Sequence, residues 1–130
     1  MAGKNVSLIS KTIILRVPSN TIYRALKDRR LEKLFPEFFV GITRKVAVDK
    51  RNQELTFRTT TQGSQIEIDE TFRLKISGSN RTEVEYTTKT NMQENNAVVQ
   101  SIVQTHIANI LYSLLMLETG YINGLMKRKD

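Results

Sequence analysis

Two residues of this sequence have side chains that could transfer protons inside an apolar environment, Glu70 and His106. Glu70 lies in a run of alternating apolar residues and shares its parity with Ile68 and Phe72, so we expect it to point inward. A buried carboxylate needs a partner or its pKa rises. It is therefore either an acid or anchor in a cavity or a structural partner of Arg44, unless a bulge turns it outward.

His106 is the only histidine of the chain, and it lies at the edge of the apolar side of a long helical segment. From there it could face Glu70 and act as a proton carrier. The alternative is a histidine at the helix edge whose hydrogen bonds are satisfied within the protein. Glu70 and His106 are the catalytic candidates of the sequence.

A ligand-binding set follows if the strands and the helix enclose a cavity. Inward apolar residues would line it, and Glu70, Thr88 and His106 would orient the polar part of the ligand. Threonines are also common in strands for their β-propensity alone, so this reading has an alternative. The predicted set is Phe57, Thr59, Ile68, Glu70, Phe72, Tyr86, Thr88, His106, Ile110 and Leu114.

Two aromatic residues, Phe38 and Phe39, follow Pro36 and could form the portal of such a cavity, or else a plug that closes the core. The sequence contains no Walker loop, GxGxxG, HExxH or nucleophile motif. It also contains no cysteine, which excludes disulfides and thiolate metal sites in this sequence. We expect no cofactor and no metal.

The elements that must position these residues begin with a strand rich in β-branched residues, VSLISKTIILRV. Its apolar phase slips, which predicts a bulge near residues 8 to 10. Pro18 ends the strand, and Ser19 or Asn20 would cap a short helix, TIYRALKD. A second short helix, RLEKLF, would end before Pro36.

Four alternating runs follow, separated by short turns at residues 50–52, 62–64 and 78–80. Strict alternation with short turns predicts antiparallel hairpins with one dry face. The dry face would carry Ile42, Val46, Val48, Leu55, Phe57, Ile66, Ile68, Phe72, Leu74, Ile76, Val84 and Tyr86.

The last segment, residues 92–126, has no charged side chain from Asn96 to Leu117 and is predicted to form one long helix. Its apolar stripe runs from Val99 to Leu125 at helical spacing, widened by Leu111, Leu115 and Ile122, while polar residues, including Asn109, gather opposite. A two-faced helix predicts packing on the sheet and no transmembrane span. The spacing of Gly120 and Gly124, with the uncharged outer face, leaves a homodimer through this helix as an option.

This order of elements resembles the START-like superfamily, which includes Bet v 1-like proteins and polyketide cyclases. The resemblance extends over the whole chain and is most specific over residues 12–39, with VPSNTIYRALKDRRLEKLFPEF at its centre. It implies a single α+β helix-grip domain over residues 1–130, with a curved antiparallel sheet of five to six strands around the C-terminal helix. It also implies an apolar cavity, but no shared catalytic set.

The leading hypothesis is therefore a protein that binds a small hydrophobic or amphipathic molecule between sheet and helix. One alternative is a cyclase- or hydrolase-like enzyme using Glu70 and His106. Another is a basic adaptor for an anionic partner, since the net charge is +7. The basic residues are dispersed among acidic ones, so we expect no specific binding of a nucleic acid. No secretory signal is evident, so we expect a cytoplasmic protein.

Overall fold

A computed structural model describes residues 5–61, 66–92 and 97–128 of the chain. Its elements are β1 (Asn5–Leu15), α1 (Ser19–Lys27), α2 (Arg30–Leu34), a 3-10 turn (Pro36–Phe39), β2 (Ile42–Lys50), β3 (Glu54–Thr61), β4 (Glu67–Gly78), β5 (Arg81–Met92) and α3 (Ala97–Arg128). The expected fold class is confirmed: an antiparallel sheet, two short helices after the first strand and a long C-terminal helix.

The five strands form one sheet in the order β1-β5-β4-β3-β2, and every neighbouring pair is antiparallel. The four later strands follow as a meander because each is joined to the next by a short connection, whereas β1 adds to the free side of β5. The turns predicted at residues 50–52 and 78–80 are confirmed, with Asn52 and Asn80 in the left-handed region. The turn predicted at residues 62–64 lies outside the described residues.

Most of the predicted dry face is buried, including Phe57, Ile68 and Phe72, none of which is exposed. The prediction is wrong for three residues: Val46 is 43% exposed, Val48 37% and Ile76 80%. The first two lie on the edge strand β2, where the register to β3 shifts between them. Ile76 lies next to a register shift at the end of β4. Alternation holds only while the pairing is regular, and these positions lie where it is not.

The bulge predicted near residues 8 to 10 is also wrong. β1 pairs with β5 in one unbroken register from Asn5 to Leu15. The apparent slip in apolar phase arises because Leu8 and Ile14 are exposed on the outer face, at 67% and 54%. Alternation alone cannot distinguish an exposed apolar residue from a bulge.

The first short helix begins differently from the prediction, whereas α2 begins at Arg30 as predicted and ends at Leu34, before Pro36. α1 starts at Ser19, the preceding residue is Pro18, and no side chain caps it, so the predicted cap at Ser19 or Asn20 is wrong. The 3-10 turn at Pro36–Phe39 was not predicted. It forms because proline is well tolerated in a first helical turn, where its missing N–H would have no partner.

The apolar stripe of α3 is confirmed where the structure describes it, since Val103, Ile107, Ile110 and Leu114 are all buried. Leu125 lies outside the residues whose side chains are described. Two predictions at the flanks of the stripe are wrong: Leu115 is 48% exposed, and Asn109 is half-buried rather than facing away. By length and composition alone, Ala97–Gly124 would be apolar enough to cross a membrane, a property that the core helices of soluble proteins share.

Candidate functional site: a carboxylate under the long helix

The side chain of Glu70 is fully buried at the centre of the inner face of β4, under α3. Four donors surround its two oxygen atoms. Oε1 accepts a hydrogen bond from the Tyr86 hydroxyl at 2.5 Å and lies 2.8 Å from Nε2 of His106. Oε2 accepts from Nε of Arg44 at 3.2 Å and from the Thr59 hydroxyl. Because an ionised carboxylate has about four lone-pair positions, Glu70 is saturated by its protein partners.

The charge state of Glu70 follows from these contacts. Burial would by itself raise the pKa of this carboxyl group, but Arg44 and His106 outweigh burial and, with the Thr59 hydrogen bond, lower the pKa to about 2. Glu70 is therefore ionised at neutral pH and acts as an acceptor. Burial and the neighbouring Glu70 charge raise the pKa of the Tyr86 hydroxyl well above 10, so that this group donates.

The state of His106 follows from that of Glu70. An ionised carboxylate can only accept, so Nε2 of His106 carries a proton and donates it to Oε1. In the neutral imidazole, Nδ1 is then a free acceptor. The imidazole ring forms a T-shaped contact with the ring of Phe39, with centroids 6.1 Å apart.

Arg44 is held between charge and aromatic surface. Its guanidinium lies 4.2 Å from the ring centroid of Phe57 and 5.4 Å from that of Phe39. Nη1 is also 3.8 Å from Glu32, a longer contact on the outer side of the pair with Glu70. Arginine suits such a buried position because its planar group can stack and donate at once.

Cross-strand pairing places buried hydroxyl groups around this ion pair. Thr88 is opposite Glu70, and Thr90 is opposite Ile68, on the inner face of β5. Both threonines are buried. Buried hydroxyl groups therefore lie on the inner face of the sheet beside Glu70.

Several buried polar atoms of this group have no hydrogen-bond partner among the described protein residues. They are Nη2 of Arg44, Nδ1 of His106 and the hydroxyl oxygens of Thr88 and Thr90. A buried polar group without a partner costs about 1–3 kcal/mol, and native proteins contain few of them. Four in one region are therefore a feature that calls for a ligand or ordered water.

A cleft of about 230 Å³ opens beside the group, between α3 and the segment formed by the 3-10 turn, β2 and β3. His106 forms part of its wall, and Phe38 stands at its rim, where it stacks on Phe35 with ring centroids 5.3 Å apart. The lining residues are Phe38, Ile42, Thr61, Ser101, Ile102, Thr105, His106 and Asn109.

Of the predicted binding residues, Thr59, Tyr86 and His106 each contact Glu70 directly. The apolar members of the predicted set are buried in the common core, where the Phe72 ring contacts those of Phe57 and Tyr86; that core also includes Ile68, Ile110 and Leu114. Of the predicted binding and portal residues, the cleft contains His106 and Phe38, while Phe39 is buried beneath it. Their role in binding stays a prediction.

Ser101 and Thr105 line the cleft, which the sequence did not predict, because both belong to the polar residues opposite the apolar stripe of α3. The uncharged character of this turn of the helix was the available signal. Among the residues that the structure describes, no group of three or more His, Asp or Glu side chains is placed to hold a metal ion.

The fold is that of the START-like, helix-grip class of proteins. It is similar to the crystal structure of an HSP90 activator from Plasmodium falciparum, with a TM-score of 0.67 and 13% identity over 85% of this chain and 94% of the other. A START superfamily protein from Mycobacterium smegmatis gives a TM-score of 0.65 and 12% identity over 92% and 99%.

The ZhuI aromatase/cyclase from a Streptomyces species has a TM-score of 0.57 and 9% identity, covering 91% of this chain and 96% of that one. No protein-family model and no curated protein matches the sequence. At these identities the similarity defines the fold, and the function must be argued from the site.

Proposed function

We propose that this protein binds a small amphipathic molecule whose polar end lies against Glu70 and its partners Arg44 and His106 (the Glu70 group) and whose apolar part lies in the cleft beside α3. The observation that carries the proposal is a set of four unpartnered buried polar atoms, one of which, Nδ1 of His106, belongs to a residue in the wall of an open cleft with apolar walls. A START superfamily protein and an aromatase/cyclase share the fold, which supports a cavity-binding role.

The unpartnered atoms indicate the kind of polar group that the ligand carries. Nη2 of Arg44 can only donate, whereas Nδ1 of His106 accepts in a neutral ring and donates in a charged one. The threonine hydroxyls can do either. A hydroxyl group both donates and accepts, so it can pair with Arg44 and with His106 in either state of the ring, whereas a carboxylate can only accept. Glu70 itself has no remaining lone pair and serves to hold its neighbours in place.

The cleft limits the size of the apolar part. Ligand sites commonly have volumes of about 300–1,000 Å³, so 230 Å³ suits a molecule of one or two rings. Ile42 and Ile102 supply apolar walls, and Phe38 supplies an aromatic rim. A phenol or naphthol therefore has the right chemistry and size to act as a probe.

Fluorescence titration with naphthol, and with naphthalene as the analogue without a hydroxyl group, tests this proposal. We expect naphthol to bind about tenfold more tightly, because one hydrogen bond to a buried site contributes about 1.4 kcal/mol. Thr105→Trp should abolish binding by filling the cleft. Gln104→Trp places the same side chain on the neighbouring exposed position and should leave binding unchanged. Equal affinities for naphthol and naphthalene, or for the two variants, would contradict the proposal.

A second candidate function, proton transfer by His106, is favoured by the 2.8 Å contact to Glu70. The carboxylate orients the imidazole so that Nδ1 could take a proton from a water molecule attacking an ester. Hydrolysis of naphthyl acetate, which releases naphthol and acetate, tests this. We expect His106→Gln to reduce any wild-type rate above background by at least about a hundredfold. An unchanged rate would exclude His106 as the base.

A further inference from the structure

A second concave site lies away from the helix, between α1 and the turn that joins β2 to β3. It has a volume of about 310 Å³ and is lined by Asn20, Tyr23, Arg24, Lys27, Arg51 and Asn52. None of these residues lines the cleft beside α3. Three of the six are cationic and two carry side-chain amides, so most of the lining side chains offer hydrogen-bond donors.

One charge of the site is balanced within the protein. Nζ of Lys27 donates to Oδ2 of Asp49 at 2.7 Å, and the Tyr23 hydroxyl donates to Oδ1 at 2.5 Å. This arrangement fixes Asp49 and leaves its charge neutralised by Lys27. It also holds the side chain of Lys27, through a further contact of 3.4 Å to the Tyr23 hydroxyl, at the edge of the site.

The two arginines of the site, Arg24 and Arg51, differ from Lys27 in their surroundings. Within the described part of the chain, neither Arg24 nor Arg51 has an ion pair, a side-chain hydrogen bond or an aromatic contact. Among the described residues, Asp49 is the only acidic residue that forms an ion pair with a lining residue, and that residue is Lys27. The site therefore carries two uncompensated positive charges in a concave surface.

We propose that this site binds a phosphate monoester group. Guanidinium groups match the geometry of phosphate oxygens, and two of them would balance the two negative charges of a phosphate monoester. The amides of Asn20 and Asn52 add neutral donors at the edge of the site. The volume exceeds that of a phosphate alone and leaves room for the group that carries it. This site is independent of the proposed function and would add an anionic ligand, or anchor, to an amphipathic one.

Two sources could supply the same chemistry, a free phosphorylated metabolite or the headgroup of phosphatidic acid. Glycerol phosphate and inorganic phosphate probe the first by chemical-shift titration of backbone amides in α1 and the β2–β3 turn. Co-sedimentation with phosphatidylcholine vesicles containing phosphatidic acid probes the second. The test variant is Arg24→Gln combined with Arg51→Gln. The control combines Lys11→Gln with Arg81→Gln, which removes two exposed charges elsewhere on the sheet.

We expect saturable binding at millimolar concentration. The Arg24/Arg51 variant should bind about tenfold or more weakly, which corresponds to about 1.4 kcal/mol, and the control should bind unchanged. Binding of vesicles alone, with the same dependence on the variants, would assign the site to a lipid headgroup. Shifts that do not saturate and spread over the basic surface would mean an adventitious ion only. That result, no binding, or equal loss in both variants would overturn the proposal, and none of them would alter the naphthol experiment.

Discussion

Nε2 of His106 lies 2.8 Å from Oε1 of Glu70, although the two residues are 36 positions apart and come from a helix and a strand. The contact joins α3 to the middle of the sheet within a group of buried polar side chains that includes Arg44, Thr59 and Thr88. Both side chains are buried, at 4% and 0% exposure. The pair therefore has a structural role, and it also leaves Nδ1 of His106 as a free polar atom beside the cleft.

The buried ion pair predicts a strong effect of removing its cation. Arg44→Met leaves Glu70 charged, buried and short of one partner, so the free energy of unfolding should fall by about 3–5 kcal/mol. Urea denaturation measures this. Arg58→Met is the matched control, because Arg58 pairs with Asp69 on the exposed face and should cost no more than about 1 kcal/mol. Similar losses in the two variants would contradict the assigned role of the pair.

A pH dependence follows from Glu70. Its pKa is about 2 in the folded protein and 4.5 ordinarily, so its contribution is fully present above pH 4.5 and is lost as the pH falls toward 2. The difference corresponds to about 3 kcal/mol. Stability curves between pH 5 and 2 should show this loss in the wild type. The Glu70→Gln variant should be less stable at neutral pH and should show a flatter curve; an equally steep curve would contradict the assigned pKa.

The apolar contact of α3 with the sheet predicts that Ile110→Asp unfolds the domain. Ile110 is fully buried, and an unpaired charge there has no polar partner. Circular dichroism and urea denaturation measure the result. Gln104→Asp, on an exposed position of the same helix, should change stability by no more than about 0.5 kcal/mol. We also expect the wild type to be recovered without detergent, and recovery only from membranes would contradict the packing of this helix.

The outer face of α3 offers a dimer contact, which stays a prediction. Tyr112 is 49% exposed, Leu115 48% and Met116 38%, so an apolar strip faces away from the sheet. If two copies associate through it, Leu115→Glu should halve the mass in light scattering, while Lys75→Glu on the outer face of the sheet should not. A monomeric wild type would end the dimer hypothesis.

The sequence predicted the parts of the site that depend on regular periodicity. The inward direction of Glu70 followed from the alternation of β4, its pair with Arg44 was one of the interpretations, and the position of His106 followed from helical spacing. The failures lie where periodicity carries no information. Leu8 looked like evidence of a bulge, and Val46 is exposed on an irregular edge strand. The cleft depends on how the 3-10 turn packs near α3, a tertiary contact with no local signature.

The ¹⁵N NMR spectrum of His106, the single histidine, most directly tests the claim that the polar end of the ligand contacts the Glu70 group. With the imidazole of His106 labelled with ¹⁵N, the free protein should show a protonated Nε2 held by Glu70 and an Nδ1 atom without a protein partner. Addition of naphthol should shift the Nδ1 signal while Nε2 stays in place, and Thr105→Trp should prevent the shift. If naphthol leaves Nδ1 unchanged, or if both nitrogens behave as in an exposed histidine, the polar end of the ligand does not meet the Glu70 group.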